Sequence, residues 1–367
     1  MKKAVIIGAG QTGRGFVAPI LKEEGYSITF LDNNQNLIEQ LELEQKYQVR
    51  YFENEKESEI IEEFSAYLID SEKAMQSIVN SDLVITSVFA GHIVELIPYL
   101  KIAGARRHKP LMIICCENGV NVKKPLIDAK INAVVSEGII FCTTLKPYKD
   151  SLDLISEFTD NIPIDGSVKG LDLNIERMPL NKNFTSLIQR KIYTYNFMSA
   201  VIAYLGWYKN YEVYSEAAND SEISEIIENV KPAISSAIAK EYKISFDEQL
   251  AFTQRAINKF KNKEIFDTIY RNARQAKRKL GENERLLSPL RLAQKYNEET
   301  IYFDLIIAVA IKYAIVEEEE NVDFLWNFIC VKQDKQSIQK VFELINMVNV
   351  MTHVKNKTNN DILKIKC

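Results

Sequence analysis

Short apolar runs separated by amphipathic stretches dominate the first 150 residues. Runs at 4–7 and 111–116 are apolar throughout, as strands buried on both faces require, and those at 27–31 and 82–88 are mostly apolar with Ser, Thr and Asp among them. Stretches at 36–43 and 93–100 between them carry apolar residues at helical spacing. Strand-like and helix-like segments in alternation predict a parallel sheet covered by helices. Residues 151–180 show weak periodicity and read as short strands and loops. From about 184 onward the pattern is helical, with helices predicted over 184–205, 221–242, 246–260, 265–280 and 301–317, and Gly206 as the stop of the first. The fold class that follows is α/β, with a doubly wound Rossmann-like sheet over 1–180 and a mostly α-helical domain over 181–367.

The first strand leads into Gly8-Ala9-Gly10-Gln11-Thr12-Gly13, followed by a helix. A glycine fingerprint alone is weak, but one between a strand and a helix has the context that dinucleotide binding needs. Gly8 suits a tight turn, Gly10 a close approach to a pyrophosphate, and Gly13 close packing of helix on strand. Free N–H groups at the helix start then face the phosphates. Asp32 ends the second strand, 24 positions beyond Gly8, where such folds keep an acid for the ribose hydroxyls. A carboxylate there repels a 2′-phosphate, and Asn33, Asn34 and Gln35 supply no arginine to accept one. NAD(H) is expected over NADP(H), with FAD a weaker rival and a plain turn-capping role for Asp32 the bland alternative. The 111–116 strand delivers Asn118 to the carboxyl edge of the sheet, where ligands of such folds bind.

Composition narrows the classes. A chain of 367 residues can hold two domains and a sizeable core. A net charge of −4 provides no basic field for nucleic acid. Five cysteines show no metal spacing, and the adjacent Cys115 and Cys116 sit in an apolar run, a usage that fits a reducing cytoplasm. The chain enters its first strand at once, so no signal peptide is expected. No run is long enough for a membrane span. Glu317 to Glu320 reads as a solvated helix end or loop, and residues 356–360 as a frayed end.

Two polar constellations lie in the helical half. On a regular α-helix Lys191 and Asn196 are about 140° apart and Ser199 about 80° from Lys191, so the three can border one cleft. A desolvated lysine can act as acid or base near neutrality, and an asparagine amide can donate to a developing alkoxide. A lysine on a solvated helix face is the ordinary alternative. Further on, Arg271, Arg274 and Arg278 fall within about 60° on a continuous helix, with Lys279 and Arg285 nearby. Planar guanidinium forks suit phosphate; pairing with Glu282 and Glu284 is the plain alternative.

Four stretches resemble the polyol-specific long-chain dehydrogenase family, in the family's order. They are 8–16, Cys116-Glu117-Asn118-Gly119-Val120, 190–206 with its Lys-x4-Asn and Ala-Tyr-Leu-Gly, and 271–280 with Glu284-Arg285-Leu286. The resemblance implies a metal-free, NAD(H)-dependent oxidoreductase in which Lys191 is the general acid/base and Asn118 and Asn196 bind the reacting oxygen. Its sugar-phosphate branch implies interconversion of a ketose phosphate and an alditol phosphate, fructose 6-phosphate and mannitol 1-phosphate first. Ser199, Arg274, Arg278 and Lys279 are then the expected substrate contacts. Two departures stand out: Ser199 occupies the place of the family's histidine, and Thr143-Thr144 the place of its Asp-Arg. His92, His108 and His353 fall in no catalytic motif. A pentitol phosphate, an unphosphorylated polyol or sugar acid, and a non-catalytic NAD(H)-binding sensor remain as alternatives. The expected state is a cytoplasmic monomer or small homo-oligomer without nucleic-acid or membrane partners.

Overall fold

A computed structural model describes residues 1–52, 58–117, 119, 121–158, 161–328 and 332–347. The chain divides into two compact units, Met1–Ile188 and Gln189–Cys367. Asn118, His353 and residues 356–360 lie outside the described residues.

The first unit is organised by a six-stranded parallel sheet. Its strands are β1 (Lys2–Ile7), β2 (Tyr26–Asp32), β5 (Ser65–Leu68), β6 (Leu83–Thr86), β7 (Leu111–Cys115) and β8 (Ala133–Glu137). Their order is β5-β2-β1-β6-β7-β8. Successive strands are added on one side of β1 up to β5 and on the other from β6 onward, and this switch opens a crevice at the carboxyl end of β1. Side chains alternate across β1, with Ala4 and Ile6 in one core and Val5 and Ile7 in the other. Covering both faces requires helices on both sides, supplied by α1 (Ala18–Glu23), α2 (Gln35–Glu44), α3 (Glu72–Val79), α4 (Ile97–Ala105) and α5 (Lys124–Asp128). The expected helix at 93–100 is tighter than predicted at its start, where Ala90–Leu96 forms a 3₁₀ segment before α4.

A second sheet escaped the hydrophobic pattern. Strands β3 (Lys46–Tyr51), β4 (Glu59–Glu62), β9 (Thr144–Leu145) and β10 (Leu154–Ser156) pair in the order β4-β3-β10-β9. Only one face of it is buried, by Tyr47, Val49, Ile61 and Leu154 in the core that also holds Ile20 and Leu21 of α1. Thr144 is engaged in this sheet: its hydroxyl hydrogen-bonds that of Ser156 at 2.9 Å. The stretch 151–180 adds the short parallel ladder β11 (Ile164–Asp165) and β12 (Leu180–Asn181).

The second unit is helical. α6 (Phe184–Lys191) runs through a π-turn at Ile192–Asn196 into α7 (Phe197–Tyr208). Then come α8 (Tyr214–Ala218), α9 (Ser221–Tyr242), α10 (Phe246–Lys261), α11 (Ile269–Ala273), α12 (Ala276–Lys279), α13 (Leu287–Lys295), α14 (Ile301–Glu317), α15 (Val322–Phe328) and α16 (Lys332–Met347). α7 and α14 are apolar nearly all round, as central helices must be. Phe197 stacks on Phe303 at 5.1 Å, and Tyr204 meets Tyr313 edge-on at 5.6 Å. Among the described residues no helix is long and apolar enough to cross a membrane.

Three expectations need correction. Gly206 does not stop a helix; it lies inside α7, where a Cβ would come within 2.6 Å of Ile269 and 2.8 Å of Ala217. It is there so that neighbouring helices can approach. The helix expected over 265–280 is broken. Thr268 bridges Val213, Arg274 is extended and Gln275 is left-handed (φ 62°), which separates α11 from α12. The acidic run after α14 is not simply solvated. Glu317 accepts from the Trp207 indole, Glu318 accepts from the backbone N–H groups of Gln275 and Ala276, and Glu320 pairs with Lys277 at 3.2 Å.

Candidate functional site

The glycine turn sits at the carboxyl end of β1. Gly8 has φ +100°, and a Cβ there would lie 2.3 Å from the Ser87 carbonyl oxygen. A Cβ on Gly13 would lie 2.2 Å from the Gly8 carbonyl oxygen, so the helix rests directly on the turn. Gly10 differs: a Cβ there would meet nothing within 4 Å. That open cradle, facing the first N–H groups of the helix carrying Gln11 and Thr12, fits a pyrophosphate. Asp32 accepts from the Ala9 N–H at 2.8 Å and from the Asn34 N–H at 2.9 Å, each on a different carboxylate oxygen. It therefore caps the turn at Asn33 and Asn34 and retains lone pairs for ribose hydroxyls. NAD(H) fits this set of residues, with Gly10 at the phosphates and Asp32 at the ribose.

Behind the turn lies a feature the fingerprint does not reveal. Pro19 has no N–H to give, and the helix ahead of it widens into a π-turn at Gly13–Val17, closed by the Ala18 N–H on the Gly13 carbonyl. The carbonyl of Arg14, which an i→i+5 bond from residue 19 would have satisfied, accepts from the Tyr47 hydroxyl at 2.8 Å. The Arg14 side chain is fully buried beneath the turn. Its Nε donates to the Ala9 carbonyl at 2.8 Å, one Nη donates to the Leu152 carbonyl, and the guanidinium packs on the Tyr47 ring at 5.1 Å. Among the described residues it forms no ion pair, so a positive charge stays buried under the cradle.

Past β6 and β7 two buried acids tie the loops at the sheet edge. Glu117, 6% exposed, accepts from the Val88 N–H at 2.9 Å. Burial pushes its carboxyl up to about 7. Glu137, at the end of β8, accepts from the Lys123 N–H at 2.8 Å, and burial raises it too. The Lys123 ammonium in turn pairs with Asp165. These bonds fasten Glu117 to the end of the β6 loop and Lys123 to the end of β8. An acid at the end of an apolar strand was the signal available for Glu117. Cys115 and Cys116 are buried, and burial lifts the Cys115 thiol to about 12.

In the second unit Lys191 is 7% exposed, so it is not on a solvated face. Asn196 and Ser199 are half-buried. The π-turn between Lys191 and Asn196 is closed by the Phe197 N–H on the Ile192 carbonyl. An i→i+5 turn brings residues five apart toward one line along the axis, so the 140° separation of a regular helix does not hold.

The basic cluster is redistributed by the broken helix. Arg271 pairs with Asp267 at 2.8 Å; Arg278 and Arg285 share Glu284 at 2.9 and 3.3 Å. The expected pairing with Glu284 is thus present, while Glu282 reaches Arg291 instead. Arg274 is exposed and forms no ion pair among the described residues. Lys279 is the unusual member. It is 4% exposed, donates to the Asn272 carbonyl, and lies over the Tyr204 ring at 5.7 Å. Burial, then Arg285 and Arg278, bring its pKa down to about 7. His92 is exposed and paired with Glu95, and His108 is exposed. Among the described residues no group of three or more His, Cys, Asp or Glu side chains is placed to hold a metal ion.

Known proteins share both units. The family models "Mannitol dehydrogenase Rossmann domain" and "Mannitol dehydrogenase C-terminal domain" match residues 2–145 and 183–364. A mannitol-1-phosphate 5-dehydrogenase of Thermoanaerobacter pseudethanolicus is 32% identical over 80% of this chain and 81% of its own length. One of Buchnera aphidicola subsp. Schizaphis graminum is 31% identical over 87% and 89%. Among solved structures, the Pseudomonas fluorescens mannitol 2-dehydrogenase complex with NAD and D-mannitol superposes with a TM-score of 0.76 at 14% identity, covering 97% of this chain and 94% of that one. The chain belongs to the mannitol dehydrogenase family of NAD-dependent oxidoreductases.

Proposed function

We propose that this protein interconverts a ketose phosphate and an alditol phosphate, with fructose 6-phosphate and mannitol 1-phosphate as the first pair. The observation that carries the reading is Lys191, a buried lysine within a Lys-x4-Asn helix, in a chain whose named relatives are mannitol-1-phosphate 5-dehydrogenases. Bound NAD(H) supplies or accepts the hydride. In reduction Lys191 Nζ gives a proton to the carbonyl oxygen; in oxidation it takes the proton of the alcohol. The amide N–H of Asn196 donates to that oxygen as charge builds on it, and Asn118 has the same assignment. No metal is assigned a part in these steps. Arg274 and Lys279 are the best candidates for the phosphate, because Arg278 is already engaged with Glu284.

Ser199 favours a second reading of the substrate. A hydroxyl is shorter than an imidazole and does not titrate near neutrality, so a different phosphorylated polyol, such as a pentitol phosphate, is a natural rival. A reducing cytoplasm suits the two adjacent buried thiols.

The test is NADH oxidation against a panel of fructose 6-phosphate, ketopentose phosphates and unphosphorylated fructose. Turnover restricted to phosphorylated ketoses is expected. Equal turnover of fructose would remove the phosphate contacts. Tight NADH binding with no turnover on any ketose phosphate would mark a sensor rather than an enzyme.

A further inference from the structure

A buried amide lies against the π-turn that separates Lys191 from Asn196. Gln249, on α10, is fully buried. Its Nε2 donates to Thr194 Oγ1 at 2.9 Å, and its Oε1 accepts from Arg190 Nε at 3.1 Å. Thr194 lies within the π-turn, and Arg190 immediately precedes Lys191. One side chain therefore grips the helix on both sides of the lysine.

The grip is braced from behind. Thr253 Oγ1 donates to the Gln249 carbonyl at 3.0 Å and hydrogen-bonds Ser235 Oγ of α9 at 2.9 Å. Arg190 reaches Glu248 at 3.0 Å, and its guanidinium lies over the Phe252 ring at 5.1 Å. Each of these hydroxyl and amide groups has a partner, which in a low-dielectric interior makes the arrangement rigid. A half-satisfied version would be costly, because a buried polar group left without a partner has lost its bonds to water for nothing.

No proline explains this π-turn, unlike the one ahead of Pro19. What it has is the Thr194–Gln249 bond. Were the turn to relax to α-helical spacing, Lys191 would rotate by about 100°, one residue's azimuth, relative to Asn196 and Ser199. We propose that Gln249 is a positioning residue: by fastening Arg190 and Thr194 it holds the π-turn in register and fixes the direction of Lys191 relative to Asn196. The inference rests on the reading of Lys191 as the acid/base.

Gln249→Leu removes both of these bonds, and a longer one from Nε2 to Thr253 Oγ1 at 3.4 Å, at similar volume. Gln249→Glu keeps an acceptor for Arg190 and for a rotated Thr194 hydroxyl. Measured with NADH and the ketose phosphate the protein reduces, Gln249→Leu is expected to lower kcat by about tenfold to a hundredfold, the usual scale for a misplaced reacting group. KM and the NADH dissociation constant should move much less, and the pKa seen in the kcat–pH profile should shift. Gln249→Glu should recover most of kcat. Should Gln249→Leu fail to fold, Thr194→Val tests the same bond and is expected to show the same kcat-selective loss. A folded Gln249→Leu or Thr194→Val enzyme with wild-type kcat and pH profile overturns the proposal. So does a loss in which kcat, NADH binding and thermal stability decline together, with no rescue by glutamate. Lys191→Ala, run alongside, separates the two readings: if it retains full turnover the acid/base assignment fails, whatever Gln249 does.

Discussion

Lys279 shows how burial changes what a basic residue is for. It stands in a run with Lys277 and Arg278, and nothing in that run marks it as the buried one. Its pKa of about 7 arises from burial first and from Arg285 and Arg278 second. An unfolded lysine holds its proton to about 10.4. Between pH 7 and 10 the unfolded chain therefore binds more protons at this site, and stability from Lys279 rises with pH across that window. Lys279→Met should consequently raise Tm more at pH 6 than at pH 9. If Lys279 binds the substrate phosphate, the same change should also abolish a rise in KM above pH 7. Thermal melts and KM at the two pH values check this; a Tm difference that does not depend on pH would show that the ammonium is not held in a desolvated site. At this scale the sequence was informative where chemistry dictates a residue type. Gly8 and Gly13 take the tight turn and the close packing that their positions predicted. It was silent on Arg14 and Gln249, because burial of a polar group depends on residues far away in the chain.

Elements follow their local patterns until a distant contact overrides them. The helices expected at 221–242 and 301–317 coincide with α9 and α14, since a long apolar pattern with a capping Asp220 or a full apolar circumference leaves little choice. The 265–280 helix fails because Thr268 is drawn into a bridge with Val213 and Glu318 captures the N–H groups of Gln275 and Ala276. The π-turn behind the glycine fingerprint is similar: Pro19 demands it, but only Tyr47, from β3, satisfies the carbonyl it leaves. Tyr47→Phe should therefore destabilise the protein by about 1–3 kcal/mol, the cost of a buried acceptor left without a donor. Urea unfolding measures this directly. A change below about 0.5 kcal/mol, the range of neutral surface substitutions, would mean that the Arg14 carbonyl has found another donor.

For the whole molecule, the α/β unit followed by a helical unit was readable because parallel strands are continuous apolar runs and the later helices are long. The four-stranded sheet was not, since β4, β9 and β10 are only two to four residues long, too short to show a period. Function sits at a different level from fold, and a shared fold alone does not assign it. Against the pattern that the resemblance implies, Lys191 and Asn196 stand where they are expected and Ser199 stands where a histidine is expected. The most direct measurement is NADH oxidation by Lys191→Ala with the ketose phosphate that the wild-type protein reduces, with NADH affinity determined on the same sample. The account predicts a fall in kcat of about a hundredfold or more, the scale of a positioned acid/base, with NADH still bound; turnover near that of the wild type would contradict it.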